Sequence, residues 1–305
     1  MKICLLYPRW TVEYGRFSYL AKRAGVFPPL NLAHLGAIAE KHGHEVKIID
    51  GEVEDKTQEE LINEALEFNP GVIGITATTP FFHIGSALAK QLKSRTNVPI
   101  VIGGPHITIL REKAFSDGFD YAFIGESEVS WPRFLECIEQ GRDVSCVGGI
   151  LYRDKSGVKY TGQTERMDDM DALPFAARHL LKYDRYRYGT MRGMKRFTTV
   201  PTSRGCPFEC IFCSTEVFGR RTRYRKPEKV VDEIRECKEK FGIEHFYFLD
   251  DTLTLKRDHI SRVLDLLIEA NLGVTLEAST RANLVDEALV AKLRKAGLIR
   301  ISFGL

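Results

Sequence analysis

Cys206, Cys210 and Cys213 stand in the run Ser203-Arg204-Gly205-Cys206-Pro207-Phe208-Glu209-Cys210-Ile211-Phe212-Cys213. The spacing is C-x3-C-x2-C, with an aromatic residue before the last thiol. Three thiolates can hold three irons of a cubane 4Fe-4S cluster and leave the fourth iron without a protein ligand. Catalytic metal sites keep an open position of that kind, whereas purely structural ones close it. Gly205 permits positive φ where the loop begins, and Pro207 stiffens it. A structural zinc site would need a fourth ligand. No such His or Cys is near in sequence, and His179 or His245 would have to approach through the fold. A simple electron carrier normally has four thiolates. The remaining cysteines, Cys4, Cys137, Cys146 and Cys237, are scattered. They suggest neither a second cluster nor a disulfide framework.

The run resembles the signature of the radical S-adenosylmethionine (AdoMet, SAM) superfamily, C-x3-C-x-aromatic-C, with Phe212 as the aromatic. The resemblance implies a 4Fe-4S cluster on the three cysteines and AdoMet chelated to the open iron through its amino and carboxylate groups. It implies one-electron cleavage of the sulfonium. The resulting 5′-deoxyadenosyl radical can take hydrogen from an unactivated carbon. The cofactors carry the hard step, and the protein supplies orientation and dryness.

Upstream of the cysteines, strands alternate with helices. Strands are expected at 2–7, 45–50, 72–76, 99–103 and 121–124, and helices at 30–41, 57–68, 82–94 and 129–140. Thr57 and Glu60 form a capping box at the start of the second helix. Such alternation calls for a parallel sheet covered on both faces, with every strand-to-helix loop at one edge. Ligands bind at that edge, near the switch in strand order. The loops there hold Thr76-Ala77-Thr78, Gly103-Gly104-Pro105-His106 and Gly125-Glu126-Ser127-Glu128.

Taken together, these loops resemble the cobalamin-binding domain of cobalamin-dependent radical AdoMet enzymes. Thr76, Ala77 and Thr78 resemble the small hydroxyl motif lining the nucleotide tail. Gly103 and Gly104 resemble the paired glycines, with His106 close to that edge. Gly125 and Glu126 open a segment similar to G-E-G-E, from which Ser127 departs. Many such domains carry D-x-H-x-x-G after the first strand. Here residues 8–15 read Pro-Arg-Trp-Thr-Val-Glu-Tyr-Gly, so a bound cobalamin would have no histidine beneath its cobalt. His34 lies on a helix and reads as a packed or surface residue. The absence of a second cysteine trio argues against the methylthiotransferase branch.

Residues 141–196 break the alternation and are expected to connect two domains, 1–140 and 197–305. A hairpin is expected at 148–152 and 158–160. The Tyr- and Arg-rich stretch 183–196 reads as a wrap between the domains. Beyond it, strands at 197–203, 245–249, 274–278 and 299–304 alternate with helices at 227–241, 257–270 and 286–296. This is a section of a β/α barrel, in which chemistry gathers at the C-terminal strand ends. The fold class is therefore α/β: a flavodoxin/Rossmann-like parallel sheet of cobalamin-binding type, followed by a partial radical SAM (β/α) barrel.

By the same resemblance, Asp250 and Asp251 occupy the segment that positions the AdoMet amino group, where the family more often has glycines. A carboxylate suits an ammonium partner; the alternative is a cap for the following helix. Glu277, Ser279 and Arg281 alternate on one face, towards the AdoMet ribose or carboxylate, and Ser302 points similarly. The basic run 220–226 reads mostly as a solvated face. The family barrel has more strands than the four found here, so the chain is expected to be a C-terminally truncated piece that is inactive alone.

The net charge of +3 gives no global argument for nucleic acid. The longest apolar runs are strand-sized, short of a membrane span. The N-terminus enters a strand without a signal-peptide layout. The expected setting is cytoplasmic, with a small-molecule substrate and a reducing partner such as ferredoxin or flavodoxin. The resemblance implies methyl transfer to an unactivated carbon, with oxidative cyclisation or ring rearrangement as the alternative. A nucleic-acid-modifying protein is a further reading.

Overall fold

The computed structural model describes residues 1–23, 26–190 and 193–304, in two compact units. The first comprises Met1–Lys22, Pro29–Met167 and Leu173–Lys182; the second comprises Arg23–Pro28, Asp168–Ala172 and Tyr183–Leu305, of which Leu305 lies outside the described residues.

In the first unit, short apolar runs become strands β1 (Lys2–Tyr7), β2 (Glu45–Asp50), β3 (Val72–Thr76), β4 (Ile100–Gly103) and β5 (Tyr121–Phe123). They pair in parallel in the order β2-β1-β3-β4-β5. This is the flavodoxin-type order, with its switch point between β1 and β3. All five residues of β3 are buried, as a central strand covered on both faces requires.

The α-helices described along this stretch are α1 (Ser18–Arg23), α2 (Leu30–Lys41), α3 (Gln58–Glu67), α4 (Phe82–Lys93), α5 (Pro105–Leu110) and α6 (Ser130–Glu139). Leu61 and Ile62 of α3, Leu88 and Leu92 of α4 and Ile107 of α5 share one core with Cys4 and Leu6 of β1. On the opposite face, Trp131 and Phe134 of α6 pack edge-on against Phe123 of β5. The Trp131 indole also donates to the Leu35 carbonyl of α2. The capping box at Thr57 and Glu60 forms as read.

The expected hairpin is present as β6 (Ile150–Asp154) and β7 (Gly157–Tyr160), but it is not a free connector. β6 pairs antiparallel with β5 and extends the first sheet to seven strands. Alternation of polar and apolar residues identifies a hairpin but not the strand it joins. The first compact unit consequently runs well past residue 140.

In the second unit, the strands are β8 (Arg187–Thr190), β9 (Gly193–Val200), β10 (Ser203–Arg204), β11 (Arg223–Tyr224), β12 (His245–Phe248), β13 (Thr275–Arg281) and β14 (Leu298–Gly304). Parallel β9, β12, β13 and β14 lie side by side in chain order, and β8 folds back antiparallel on β9. The stretch read as a wrap is therefore largely an edge hairpin. Its Met191 and Arg192 lie outside the described residues.

Helices α7 (Pro227–Phe241), α8 (Arg257–Ala270) and α9 (Glu287–Lys295) follow their strands as barrel helices do. One sheet face is apolar, with Phe246, Phe248, Leu276 and Ala278 buried. The other carries Tyr247, Glu277, Ser279, Arg281 and Ser302, as the period of two dictates. Phe27 rests edge-on against Phe197 and Tyr247 of this second face.

Candidate functional site

The cysteine loop leaves β10 and returns through β11, which pair antiparallel at its base. Gly205 opens it at φ +96°. A Cβ there would lie 2.6 Å from the Arg221 carbonyl and 3.0 Å from that of Gly219, so only glycine fits. The Cys206 N–H donates to Gly219 O at 3.2 Å, and the Cys213 N–H to Cys210 O at 3.0 Å. Thr222 Oγ1 donates to Gly205 O at 3.1 Å. The backbone is thus tied down while Ile211 and Phe212 stand out in solvent.

Asp250 and a buried Arg225–Glu233 pair fix the platform beneath the loop. Asp250, at the end of β12, accepts from Thr202 N at 3.0 Å, Thr202 Oγ1 at 2.8 Å and the Ser203 hydroxyl. Burial lifts its pKa to about 6, against the opposing pull of those donors. The Arg225 guanidinium lies 2.5 Å from the Glu233 carboxylate of α7, with both side chains buried, and donates to Pro201 O at 3.1 Å. These contacts correct two expectations. Asp250 clamps the strand end rather than offering a free carboxylate, and it does not cap α8, whose N-cap is Lys256. The basic run divides: Arg220, Arg221 and Lys226 are exposed, as read, with Arg220 and Arg221 in surface pairs with Glu209 and Asp168, whereas Arg223 and Arg225 are buried.

Asp251 turns the other way and is exposed. Desolvation raises its pKa, and a hydrogen bond from the Gly205 backbone opposes the rise. Cys213 is also pushed up, first by desolvation, then by Asp251 and by the other two thiols. Cys213 thus lies near both Asp251 and the other two thiols. Thr252 Oγ1 lies 3.5 Å from Cys206 Sγ. Arg281, at the end of β13, donates through Nη1 to Cys210 Sγ at 3.2 Å and lies 4.1 Å over the Phe208 ring. Its Nε is buried without a hydrogen-bond partner, an orphaned donor beside the loop.

The predicted face of β13 divides along its length. Ser279 bonds Tyr247 OH at 2.6 Å and lies in register with the exposed Ser302 of β14. Glu277 sits lower and does not reach the strand end. Its carboxylate pairs with Arg300 at 2.6 Å and lies 3.5 Å from His245 Nε2. A bulge between Leu276 and Glu277 brings Arg300 opposite Glu277 and makes that pairing.

In the first unit, Thr76, Ala77, Gly103, Gly104 and Gly125 gather at the carboxyl ends of β3, β4 and β5. Gly104 has φ +114°, and an added Cβ would lie 2.7 Å from Ala77 O. A Cβ on Gly103 would meet nothing within 4 Å. Thr108 Oγ1 donates to Gly104 O at 2.9 Å and accepts from Gly125 N at 3.0 Å, linking the second and third loops. Thr78 is exposed, but Thr76 is buried and its hydroxyl accepts from Asn31 Nδ2 at 2.8 Å. Glu126 is buried, and the His106 ring packs on Phe82 with centroids 4.2 Å apart. Desolvation lowers the His106 pKa. Of the residues expected here, Gly103, Gly104 and Thr78 border the open edge, whereas Thr76, Ala77 and Glu126 are buried. Thr108 and Asn31 were not singled out from sequence, and Thr252 and Phe208 stood out only as members of their segments. Only the recurrence of Thr108 four residues after Gly104 in a short helix could have pointed to it.

The donors fit the groups that the sequence implies. Three soft thiols on one loop, one of them hydrogen-bonded by Arg281, suit separate irons of a cubane. Among the described residues, no three His, Cys, Asp or Glu side chains converge on a point for a single metal ion. The open small-residue edge beside Gly103 suits a large flat ring lying against backbone.

Two family descriptions match the chain: a B12 binding domain over residues 18–135 and the Radical SAM superfamily over residues 200–305. The chain therefore carries a B12-binding domain followed by a radical SAM domain. It is 32% identical over 282 residues to an uncharacterized methyltransferase, PH0819, of Pyrococcus horikoshii, covering 91% of this chain and 60% of that protein. It is 30% identical over 314 residues to the anaerobic magnesium-protoporphyrin IX monomethyl ester cyclase of Rubrivivax gelatinosus, covering 100% and 55%. Its fold is that of TsrM from Kitasatospora setae, a radical S-adenosylmethionine methyltransferase solved with cobalamin and a [4Fe-4S] cluster. There the TM-score is 0.76 and the identity 19%, over 99% of this chain and 58% of that one. The chain thus spans between half and two thirds of the length of these proteins. No helix among the described residues is long and apolar enough to cross a membrane.

Proposed function

We propose that this radical SAM protein binds a 4Fe-4S cluster, AdoMet and cobalamin and catalyses methyl transfer to an unactivated carbon of a small molecule. When bound, the cluster and AdoMet supply one-electron generation of a 5′-deoxyadenosyl radical, and cobalamin supplies the methyl group. The observation that carries the reading is the loop of three thiols tied down at its base, with Asp251 and Arg281 turned towards it.

Cys206, Cys210 and Cys213 hold three irons. Asp251, open beside Cys213, accepts the AdoMet ammonium. Arg281 stabilises the Cys210 thiolate, and its Nε donates to a carboxylate or ribose oxygen. Ser279 and Ser302 give further polar contacts on the same sheet face, and Phe212 shields the AdoMet base from water. In the first unit, Gly103 and Gly104 let the corrin edge approach backbone, and Thr78 meets the nucleotide tail. The electron comes from a ferredoxin- or flavodoxin-like donor in the cytoplasm.

A second reading, oxidative ring closure with the same cofactors, comes from the likeness to the cyclase of Rubrivivax gelatinosus. Anoxic reconstitution of the whole protein, followed by turnover with AdoMet labelled in its methyl group, decides between them. Methyl transfer predicts 5′-deoxyadenosine together with label in the product. Deoxyadenosine without label supports cyclisation, and absence of deoxyadenosine contradicts both.

A further inference from the structure

Cys137 and Cys146 are scattered in sequence but meet in the first unit. Cys137 lies near the end of α6, and Cys146 closes the short 3₁₀ turn Val144–Cys146. Both are free thiols, and their Sγ atoms are 4.0 Å apart.

The backbone holds this contact from both sides. Trp131, Phe134 and Leu135 of α6 are buried and fix the helix. The chain turns at Gly141, at φ +62°, and Arg142 N donates back to Cys137 O at 2.8 Å. On the other side, the Asp143 carboxylate accepts from Ser145 N at 3.0 Å and from Ser145 Oγ at 2.6 Å. Val144 and Val147, flanking Cys146, are buried. The Cys146 thiol donates to Asp143 O at 3.6 Å, which leaves its sulfur lone pairs for Cys137.

The two thiols are unequal. Cys137 is 3% exposed, whereas Cys146 is open to solvent. Burial raises the Cys137 pKa, and the hydrogen bond with Cys146 adds to the rise. A solvent-borne oxidant therefore meets Cys146 first, with Cys137 behind it as the resolving thiol. The pair lies at the amino edge of the sheet, where Glu139 at the end of α6 pairs with the Met1 amino group at 2.9 Å. Gly103 and Gly104 are at the opposite, carboxyl edge.

We infer that Cys137 and Cys146 are a reversible oxidation site that reacts with a small peroxide and closes to a disulfide. The Cys146 sulfur attacks one peroxide oxygen. An S–O bond forms, the O–O bond breaks, and the released hydroxide leaves as water with the thiol proton. The Cys137 sulfur then attacks the sulfenic sulfur of Cys146. The S–S bond forms, the S–O bond breaks, and a second water carries off the Cys137 proton. The two sulfurs together lose two electrons, and the peroxide is reduced to two waters. Bond formation brings the sulfurs to about 2 Å, a closure that rotation about the two Cα–Cβ bonds can cover. A dithiol reopens the bond by exchange. Neither cluster nor cobalamin takes part.

The test exposes the whole protein to equimolar hydrogen peroxide, alkylates the remaining thiols and maps tryptic peptides by mass. Cleavage after Arg133, Arg142 and Arg153 places the two cysteines on separate peptides, 134–142 and 143–153. The two are expected to be recovered joined, and to separate when the oxidised protein is treated with dithiothreitol before alkylation. Cys137→Ser is expected to stop at a Cys146 sulfenic acid that dimedone traps. Cys146→Ser is expected to leave Cys137 unoxidised at the same dose. Recovery of both peptides singly alkylated from the peroxide-treated wild type overturns the inference. So does Cys146 joined chiefly to another cysteine, or Cys137 oxidised as readily without Cys146.

Discussion

Gly103 and Gly104 are neighbours that answer to different constraints. Gly104 needs its positive φ and its missing Cβ, because the Ala77 carbonyl stands 2.7 Å from where that atom would be. Gly104→Ala should therefore destabilise the first unit by about 1–3 kcal/mol, read as a lower denaturant midpoint. Gly103 has open space around its absent Cβ. Gly103→Ala should leave the midpoint within about 1 kcal/mol of wild type and still weaken cobalamin retention, because the added methyl enters the open edge. Equal loss of stability in the two variants would remove the distinction. At this scale the sequence showed which residues were small and which could ligate, but not how adjacent side chains divide. Asp250 and Asp251 look equivalent on paper, yet one is buried under Thr202 and Ser203 and the other faces Cys213. That division depends on backbone direction at a strand end, which composition does not encode.

Elements carry the platform that the cysteine loop stands on. Arg225 lies just beyond β11 and Glu233 on α7, eight residues later and outside the helix-neighbour spacings, so their pairing is tertiary and was read from sequence as surface charge. Removing one partner of a buried pair strands the other charge. Arg225→Met should cost about 3–5 kcal/mol and lower the iron retained after reconstitution, with Arg225→Met/Glu233→Leu recovering part of the stability. Full stability in the single variant would contradict this account.

Between β12 and β13, burial first, then Lys195 and Arg300, lowers the pKa of His245 from 6.5 to about 4. The unfolded chain takes up that proton first. The stability His245 contributes is complete above pH 6.5 and is lost as pH falls through about 4, on the order of 3 kcal/mol in all. Asp250 acts in the opposite sense. Its pKa is raised from 3.8 to about 6, so its contribution is full below 3.8 and lost as pH rises through 6. His245→Gln should therefore flatten the acid-side loss of stability between pH 6.5 and 4, leaving the Asp250 trend visible. An unchanged slope would show that His245 titrates normally. The strands of both sheets were legible because short apolar runs bounded by turn residues leave little latitude; β1, β2 and β3 match the sequence reading at both ends. Helices α1 and α5, of six residues each, were not, because one and a half turns show no amphipathic period.

For the whole molecule, the order of the two folds was legible because the cysteine spacing and the alternation of strands and helices are long-range patterns. The division of the chain between compact units was not. Residues 23–28 and 168–172 group with the second unit although neighbouring segments belong to the first. Phe27 packing on Phe197 and Tyr247 is the kind of contact that makes that assignment, and no local signal announces it. The proposed chemistry depends at this scale on one iron of the cluster remaining open to AdoMet. The direct measurement is the electron paramagnetic resonance spectrum of the anoxically reconstituted, dithionite-reduced chain, with and without AdoMet. The account predicts a reduced 4Fe-4S signal whose g-values shift on adding AdoMet and which is lost in Cys206→Ala, Cys210→Ala and Cys213→Ala. A cluster signal that AdoMet leaves unmoved, or one that survives removal of any of the three thiols, would contradict it.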